Sequence, residues 1–141
     1  MKKPVIIILF IIAALYDGLL GLGFLFSADT LFEGFQVTPP NHFGYVHFPA
    51  ALLLVFALMY LAIARKPHEN RNLIPYGMLL KVSYCSVTGY HWLTTGLPAM
   101  WKPFIFYDLV FLGLFAWAYI SLRDSKEERK NNPAASRRKG R

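Results

Sequence analysis

The chain has 141 residues and a formal net charge of +7; 55% of its residues are hydrophobic and 16% are aromatic. A soluble domain of this length cannot hide so much apolar surface, so the composition excludes an ordinary soluble globular protein and indicates a membrane protein. The single cysteine, Cys85, excludes an intramolecular disulfide.

Four apolar windows are long enough to cross a hydrocarbon core of about 30 Å, which takes about 20 residues of helix. They cover residues 4–26, 44–64, 73–95 and 103–122. The short connections after the second and third windows predict neighbouring antiparallel helices. We therefore predict an all-α membrane protein, an up-down-up-down bundle of four transmembrane helices in one domain over residues 1–122. Its apolar start continues without a small-x-small cleavage site, so the first helix is predicted to stay uncleaved.

The lysines and arginines are distributed unevenly about these windows. Thirteen of the fifteen fall on one side of the predicted spans, and positive loops tend to stay in the cytoplasm, so both termini are predicted to be cytoplasmic. Residues 123–141 form a basic tail that is predicted to be mostly disordered, with its first part, Arg123 to Lys130, extending the last helix by a turn or two. The tail is expected to bind anionic lipid headgroups rather than nucleic acid.

The first loop, predicted on the outer side, contains the stretch "SADTLFEGF". This stretch predicts a short interfacial helix that is capped by Ser27 or Asp29. Its apolar side chains are predicted to face the membrane: Leu31, Phe32 and Phe35. The following "TPPN" breaks the chain, and Asn41 is the predicted cap of the second transmembrane helix.

Small residues and one proline are expected to shape the packing of the helices. Gly18, Gly21 and Gly23 give the first helix a smooth outer half that a neighbour can approach closely. Pro49 is predicted to bend the second helix near its outer end, because proline removes a backbone hydrogen bond. Close packing explains the glycines without any function.

Three charged residues, Asp17, Lys81 and Asp108, lie inside predicted spans. A charge at bilayer depth costs about 3 kcal/mol or more, so these side chains need partners inside the bundle. Spacings of three and four place the polar residues of the third span on one inward stripe: Lys81, Tyr84, Cys85, Thr88, His91 and Thr95. Depth counted along the helices predicts an intramembrane salt bridge between Lys81 and Asp17. This pair either fixes helix register alone, or exchanges a proton or holds an anionic or carbonyl group.

The same count places His47, His91 and Asp108, from three helices, at one outer level. A carboxylate beside an imidazole can serve acid–base chemistry or a proton relay, and near the headgroups such side chains can equally meet water. The two histidines also permit a haem b with two axial histidines, whereas a metal site of two histidines and one aspartate has no spacing signature here. Cys85 is either a redox-active thiol, favoured by Lys81 one turn away, or a small apolar filler.

A short basic start, an aspartate and glycines late in the first helix, and three further compact helices together resemble the small bacterial inner-membrane proteins of the DoxX-like kind. The resemblance covers about residues 4–122 and is one of architecture. It implies a bacterial cytoplasmic membrane, and some relatives in that group are linked to quinone-coupled oxidation. It supplies no motif, so no site residue rests on it.

The sequence favours a non-enzymatic integral membrane protein whose polar intramembrane pocket binds a small or lipid-like ligand or a partner subunit, since buried charges in membranes usually mark function. The predicted pocket or proton-relay residues are Asp17, Lys81, Tyr84, Cys85, Thr88, His91, His47 and Asp108. One alternative is a membrane redox protein that uses haem b or quinone near His47 and His91. Another is a proton-coupled transporter of small solutes, which four helices could form only as a homo-oligomer or within a larger membrane complex. No motif for a nucleophile elbow, a phosphate loop or a zinc protease is present.

Overall fold

The structure, a computed structural model, describes the backbone of residues 2–131 and the side chains of residues 3–123. All regular secondary structure in this part of the chain is helical. The helices are α1 (Lys2–Phe26), α2 (Ala28–Gly34), α3 (Gly44–Arg65), α4 (Ile74–Thr94) and α5 (Lys102–Asn131), and short 3-10 turns at Arg71–Leu73 and Ala99–Trp101 lead into α4 and α5. The four long helices match the four predicted windows to within two residues at every boundary except the last.

Among the described residues, three helical segments are long and apolar enough to cross a membrane, which indicates a membrane protein: Lys3–Phe26, Gly44–Arg65 and Ala99–Arg123. The remaining long helix, α4, has 21 residues and is less apolar than these three segments. It carries the polar stripe that begins at Lys81. Large apolar side chains are exposed on the outer faces of all four long helices, among them Ile8, Leu19, Val55, Leu79 and Val110. Such a surface suits lipid rather than water.

The long helices associate mainly as two pairs. α1 packs along α3, and α4 packs along α5; the backbones of α1 and α5, like those of α3 and α4, approach each other at only a few positions. We call the end of the bundle that carries α2 the upper end and the opposite end the lower end. A lower apolar cluster contains Phe10, Tyr60 and Phe115, all with no exposed surface, and an upper cluster surrounds Phe24 and Phe32. The buried charges lie between these two clusters along α1.

The seam between α1 and α3 depends on one glycine. A methyl group on Gly21 would lie 2.8 Å from the backbone oxygen of Ala50 and 3.1 Å from Leu54 Cδ2. Only a residue without a Cβ permits this approach of α1 to the backbone of α3. At Gly18 a methyl would meet Ala57 Cβ at an ordinary 3.6 Å. The predicted close packing is therefore confirmed at Gly21, and Pro49 stays within α3, one residue before Ala50.

The predicted short helix in the first loop is present as α2, but it faces differently than expected. Ser27 occupies the position before the helix without a side-chain hydrogen bond to it. Phe32 is 5% exposed and packs edge-on against Phe24 and Trp101, so the prediction that it faces the membrane is wrong. Leu31 packs beside the same cluster, and only Phe35 is exposed. The physical reason is that the upper end of the bundle offers α2 an aromatic surface to cover.

The predicted cap of α3 by Asn41 is also wrong, since the residue before the helix is Phe43. The amide of Gly44 instead donates a hydrogen bond of 3.0 Å to His42 Nδ1. The imidazole thus satisfies one of the amides that a helix start leaves unpaired.

The lower end is held by polar contacts to backbone oxygens. Arg71 Nε donates to the carbonyl oxygen of Tyr119 at 2.9 Å, and its guanidinium carbon lies 3.7 Å from the centroid of the Tyr119 ring. Beyond this contact α5 continues to Asn131, so the predicted extension past Leu122 is present. The remainder of the basic tail, residues 132–141, for which disorder was predicted, lies outside the described residues.

We expect Gly21→Ala to lower the free energy of unfolding by about 1–3 kcal/mol, because the added methyl would overlap the α3 backbone. Gly18→Ala is the matched control, since it adds the same methyl to the same helix with room to spare. The unfolding of both variants is measured in mixed detergent micelles by titration with a denaturing detergent. Equal stabilities of the two variants would contradict the proposed close approach.

Candidate functional site: a buried charge cluster below an upper cavity

The centre of the bundle contains one lysine between two aspartates. Lys81 Nζ lies 2.7 Å from Asp17 Oδ1 and 3.1 Å from Asp17 Oδ2, and donates hydrogen bonds to both. It also lies 3.0 Å from Asp108 Oδ1, an ion-pair distance. Lys81 and Asp17 are each 1% exposed and Asp108 is 5% exposed. The predicted salt bridge between Lys81 and Asp17 is confirmed, and Asp108 joins it as a second carboxylate.

An aromatic stack explains why Asp108 reaches this level. The Trp101 ring, just before α5, stacks on the Phe24 ring near the end of α1, with centroids 5.2 Å apart and an angle of 21° between planes. Asp17 lies seven residues before Phe24, and Asp108 lies seven residues after Trp101. Seven residues make about two helical turns, so both carboxylates return to the face of the stack at one depth. The separate outer level predicted for Asp108 is therefore wrong, because counting from a loop boundary ignored how deep α5 starts.

The cluster leaves polar atoms without full satisfaction. The contact of Asp108 Oδ1 with Lys81 lacks hydrogen-bond geometry, and that oxygen has no hydrogen-bond partner among the described residues. The buried hydroxyl of Tyr16 approaches Asp108 but also falls short of hydrogen-bond geometry. The ammonium lies 5.1 Å from the centroid of the Tyr16 ring and 5.7 Å from that of Phe111. These rings attract the cation weakly but cannot satisfy a carboxylate oxygen.

A cavity of about 340 Å³ adjoins the cluster on its upper side. Asp17, Lys81 and Asp108 form its charged floor, and Tyr16 and Tyr84 line it as well. Most of the remaining wall is apolar or aromatic, including Leu20, Phe24, Val46, Leu53, Leu80 and Phe104. The site is thus an apolar chamber with its charges gathered at one end.

The cavity opens between α3 and α4. The exposed residues of its lining belong to these two helices: Tyr45, Pro49, Leu52 and Ser83. The lining residues from α1, α5 and the turn before α5 are buried or half-buried. The backbones of α3 and α4 approach each other at only a few positions, in keeping with an opening on this side.

Of the residues of the polar stripe that follow Lys81, only Tyr84 lines the cavity. Tyr84 donates from its hydroxyl to the carbonyl oxygen of Trp101 at 3.0 Å and lines the cavity. Cys85, half-buried, lies with Sγ 3.6 Å from the carbonyl oxygen of Ile105, and Thr88 donates to its own helix at Tyr84. Neither Cys85 nor Thr88 lines the cavity. The polar atom of Cys85 contacts α5 and that of Thr88 is bonded within α4, so neither side chain belongs to the charged floor.

The two histidines do not join Asp108. His47 is half-buried and stacks on Phe43 with ring centroids 5.8 Å apart. His91 is exposed and pairs through Nδ1 with Thr95 Oγ1 at 3.0 Å. Neither lines the cavity. Within residues 3–123, no three histidine, cysteine, aspartate or glutamate side chains are grouped as they would be to hold a metal ion.

Several lining residues were missed by reasoning from the sequence. Tyr45 and Trp101 fit an interfacial aromatic belt equally well, and no sequence pattern singles out Tyr16 or Phe104. Tyr16 comes immediately before Asp17 in the chain but points about 100° away from it on a helical wheel, so helical periodicity does not place the two residues at one site. The one available signal was the density of aromatic residues near Asp17 and Asp108.

Comparison with protein-family models, with curated proteins and with solved structures found no significant match to this chain.

We expect Lys81→Met to lower the free energy of unfolding by about 3–5 kcal/mol, because it leaves two buried carboxylates without a cation. Lys66→Met is the matched control, since Lys66 pairs with Glu69 at 2.8 Å on an exposed surface, where such pairs contribute about 0–1 kcal/mol. A triple variant with Asp17→Asn, Lys81→Met and Asp108→Asn should recover much of the loss. Unfolding in mixed micelles that did not distinguish Lys81→Met from Lys66→Met would show that the cluster is not a dry ion pair.

Proposed function

We propose that the chain is an integral protein of a bacterial cytoplasmic membrane, with four membrane-spanning helices and both termini in the cytoplasm. Three segments are apolar enough to span on their own. The proposal adds α4 because its lysine is neutralised by aspartates of α1 and α5, which removes most of the cost of placing it in lipid. The lower end, where Arg65, Lys66 and Arg71 lie in and beside the connection between α3 and α4, is then the cytoplasmic end.

Single-cysteine labelling tests this topology in a Cys85→Ala background. We expect Asp29→Cys, on α2, to react with a membrane-impermeant maleimide in intact cells. Glu69→Cys, in the loop between α3 and α4, should react only after the membrane is permeabilised. Labelling of both positions from the same side would show that α3 does not cross the membrane and would contradict the four-span topology.

We further infer that the protein binds a small, lipid-like ligand in the upper cavity and is not an enzyme. The observation that carries this inference is an apolar chamber that ends at incompletely satisfied buried polar groups. Buried polar atoms without partners are costly and uncommon. Of the three such side-chain atoms among the described residues, those of Tyr16 and Asp108 belong to the cavity lining, and the third, the Tyr60 hydroxyl, lies in the lower cluster. The cavity volume of about 340 Å³ lies within the range of about 300–1,000 Å³ typical of small-molecule sites.

The position of the opening favours a ligand that comes from the lipid. The gap between α3 and α4 faces the side of the bundle, where the neighbouring side chains are exposed apolar ones such as Leu52 and Val55. A ligand with an apolar tail can keep that tail in the gap while its polar head reaches the floor. A strictly water-soluble ligand would gain nothing from such a wall.

The lower cluster argues for binding rather than transport. Phe10, Tyr60 and Phe115 have no exposed surface and pack ring against ring directly below the charges. A solute passing from the cavity to the lower end would have to break this packing. The redox alternative at His47 and His91 gains no support from the cavity, which neither residue lines.

Native mass spectrometry from a gentle detergent tests the pocket. We expect the wild-type protein to retain a bound molecule of lipid-like mass, and Leu53→Trp to lose it because the larger ring fills the chamber. Leu58→Trp is the matched control, as Leu58 lies on the same helix, is 67% exposed and does not line the cavity. Equal retention by all three proteins, or no bound mass in any of them, would contradict ligand binding in the cavity.

A further inference from the structure

We propose that the ligand of this cavity carries a positively charged, hydrogen-bond-donating head, a primary ammonium on a single apolar chain. This inference rests on the proposed binding function and specifies the chemical class of the ligand. The argument starts from the charge balance of the floor, where two carboxylates share one ammonium.

The single ammonium is committed chiefly to one of its two carboxylates. Lys81 donates to both oxygens of Asp17 at 2.7 and 3.1 Å, while it meets Asp108 outside hydrogen-bond geometry. Two negative groups and one positive group leave one formal negative charge in excess, and it resides on Asp108. That carboxylate is 5% exposed, so water on the outside of the bundle does not solvate it.

No second cation of the described chain reaches Asp108. The basic residue nearest to it in sequence, Lys102, directs its ammonium over the outer Trp92 ring at 5.3 Å. Arg71 is engaged with Tyr119 at the lower end. The other polar side chains of the lining, such as Tyr16, Tyr84 and Ser83, bring hydroxyls but no positive charge. The described side chains therefore provide no second cation for Asp108, and we infer that the ligand provides it.

The chemistry of the head follows from what Asp108 lacks. An ionised carboxylate only accepts hydrogen bonds, so its partner must donate one. An anionic head would add a like charge next to two carboxylates, and a carbonyl head, which only accepts, would leave Asp108 as it is. A primary ammonium supplies both a positive charge and several N–H donors, and the unpartnered Tyr16 hydroxyl can accept one of these.

The apolar part of the ligand follows from the wall and the opening. Leu53, Leu80 and Phe104 line the chamber between the floor and the gap, with no charged group above the floor. A volume of about 340 Å³ is at the lower end of the small-molecule range, which suits one chain rather than two. The head therefore sits at Asp108 and the chain leaves between α3 and α4.

Binding is tested on the full chain in nanodiscs of a neutral lipid, with Trp101 as the fluorescence reporter in a Trp92→Phe, Trp117→Phe background. Trp101 lines the cavity, and the other two tryptophans do not. The probes share one chain length: dodecylamine, dodecyltrimethylammonium, dodecanol and dodecanoate. Trimethylammonium keeps the charge but donates no hydrogen bond, so it separates the two requirements.

We expect saturable binding of dodecylamine at least about tenfold tighter than that of dodecanoate, with dodecyltrimethylammonium and dodecanol between them. Asp108→Asn should weaken dodecylamine binding by about tenfold or more, the size expected for a hydrogen bond to a charged group. Asp29→Asn is the matched control, since that aspartate is exposed on α2 and outside the cavity, and it should leave binding unchanged. Tyr16→Phe keeps every charge and should weaken binding by a few-fold, which provides a second readout if Asp108→Asn folds poorly.

The outcomes separate this inference from the binding function on which it rests. If Leu53→Trp abolishes binding but dodecanoate or dodecanol binds tightest, the cavity is a ligand site and the ammonium head is wrong. If dodecylamine binds equally well to Asp108→Asn and Tyr16→Phe, the excess charge is neutralised in another way, such as by a proton, and the inference is overturned. If no probe shows saturable binding that Leu53→Trp removes, both proposals fail.

Discussion

The structure depends on one ion pair in a place where ions are costly. Lys81 lies in α4, the long helix that is not apolar enough to span a membrane by composition, and on its own it would resist burial in lipid. Asp17 of α1 provides both oxygens to its ammonium and so links the two helix pairs, while Asp108 approaches from α5, within the pair to which Lys81 belongs. The cluster joins the α1–α3 pair to the α4–α5 pair together with ring contacts between α1 and α5, such as the stack of Phe10 on Phe115. The same contacts that neutralise the lysine therefore also help to hold the bundle together.

The cavity is a consequence of that arrangement. Each pair of helices packs closely along its length, and in the α1–α3 pair Gly21 lets the backbones approach. Ring contacts such as the stack of Phe10 on Phe115 join α1 to α5, and the backbones of α3 and α4 approach each other at only a few positions. Below the charges the ring of Tyr60 fills this side by fitting against Gly77, where a methyl group would lie 2.7 Å from the ring. Above the charges, residues of both helices line the chamber instead, among them Leu53 and Leu80.

Much of this architecture could be predicted from the sequence. Apolar stretches located the four long helices, and the cost of a charge in lipid paired Lys81 with Asp17, because both are local properties of a chain that meets a membrane. The level of Asp108 could not be predicted, since it depends on the stacking of Trp101 on Phe24, a contact between distant parts of the chain. The prediction that Phe32 faces the membrane was wrong for the same reason, since its packing against Trp101 also joins distant parts of the chain. Whether the cavity binds a ligand is a matter of chemistry that helix positions alone do not decide.

The sideways opening also determines how the proposed ligand would be supplied. A molecule that enters between α3 and α4 never has to leave the bilayer, so its chemical potential is set by its mole fraction among the lipids and not by its concentration in water. Partitioning into the bilayer already removes the apolar tail of the ligand from water. The site then need only distinguish the headgroup of its ligand from the headgroups of the surrounding lipids. Occupancy would then report the composition of the surrounding membrane.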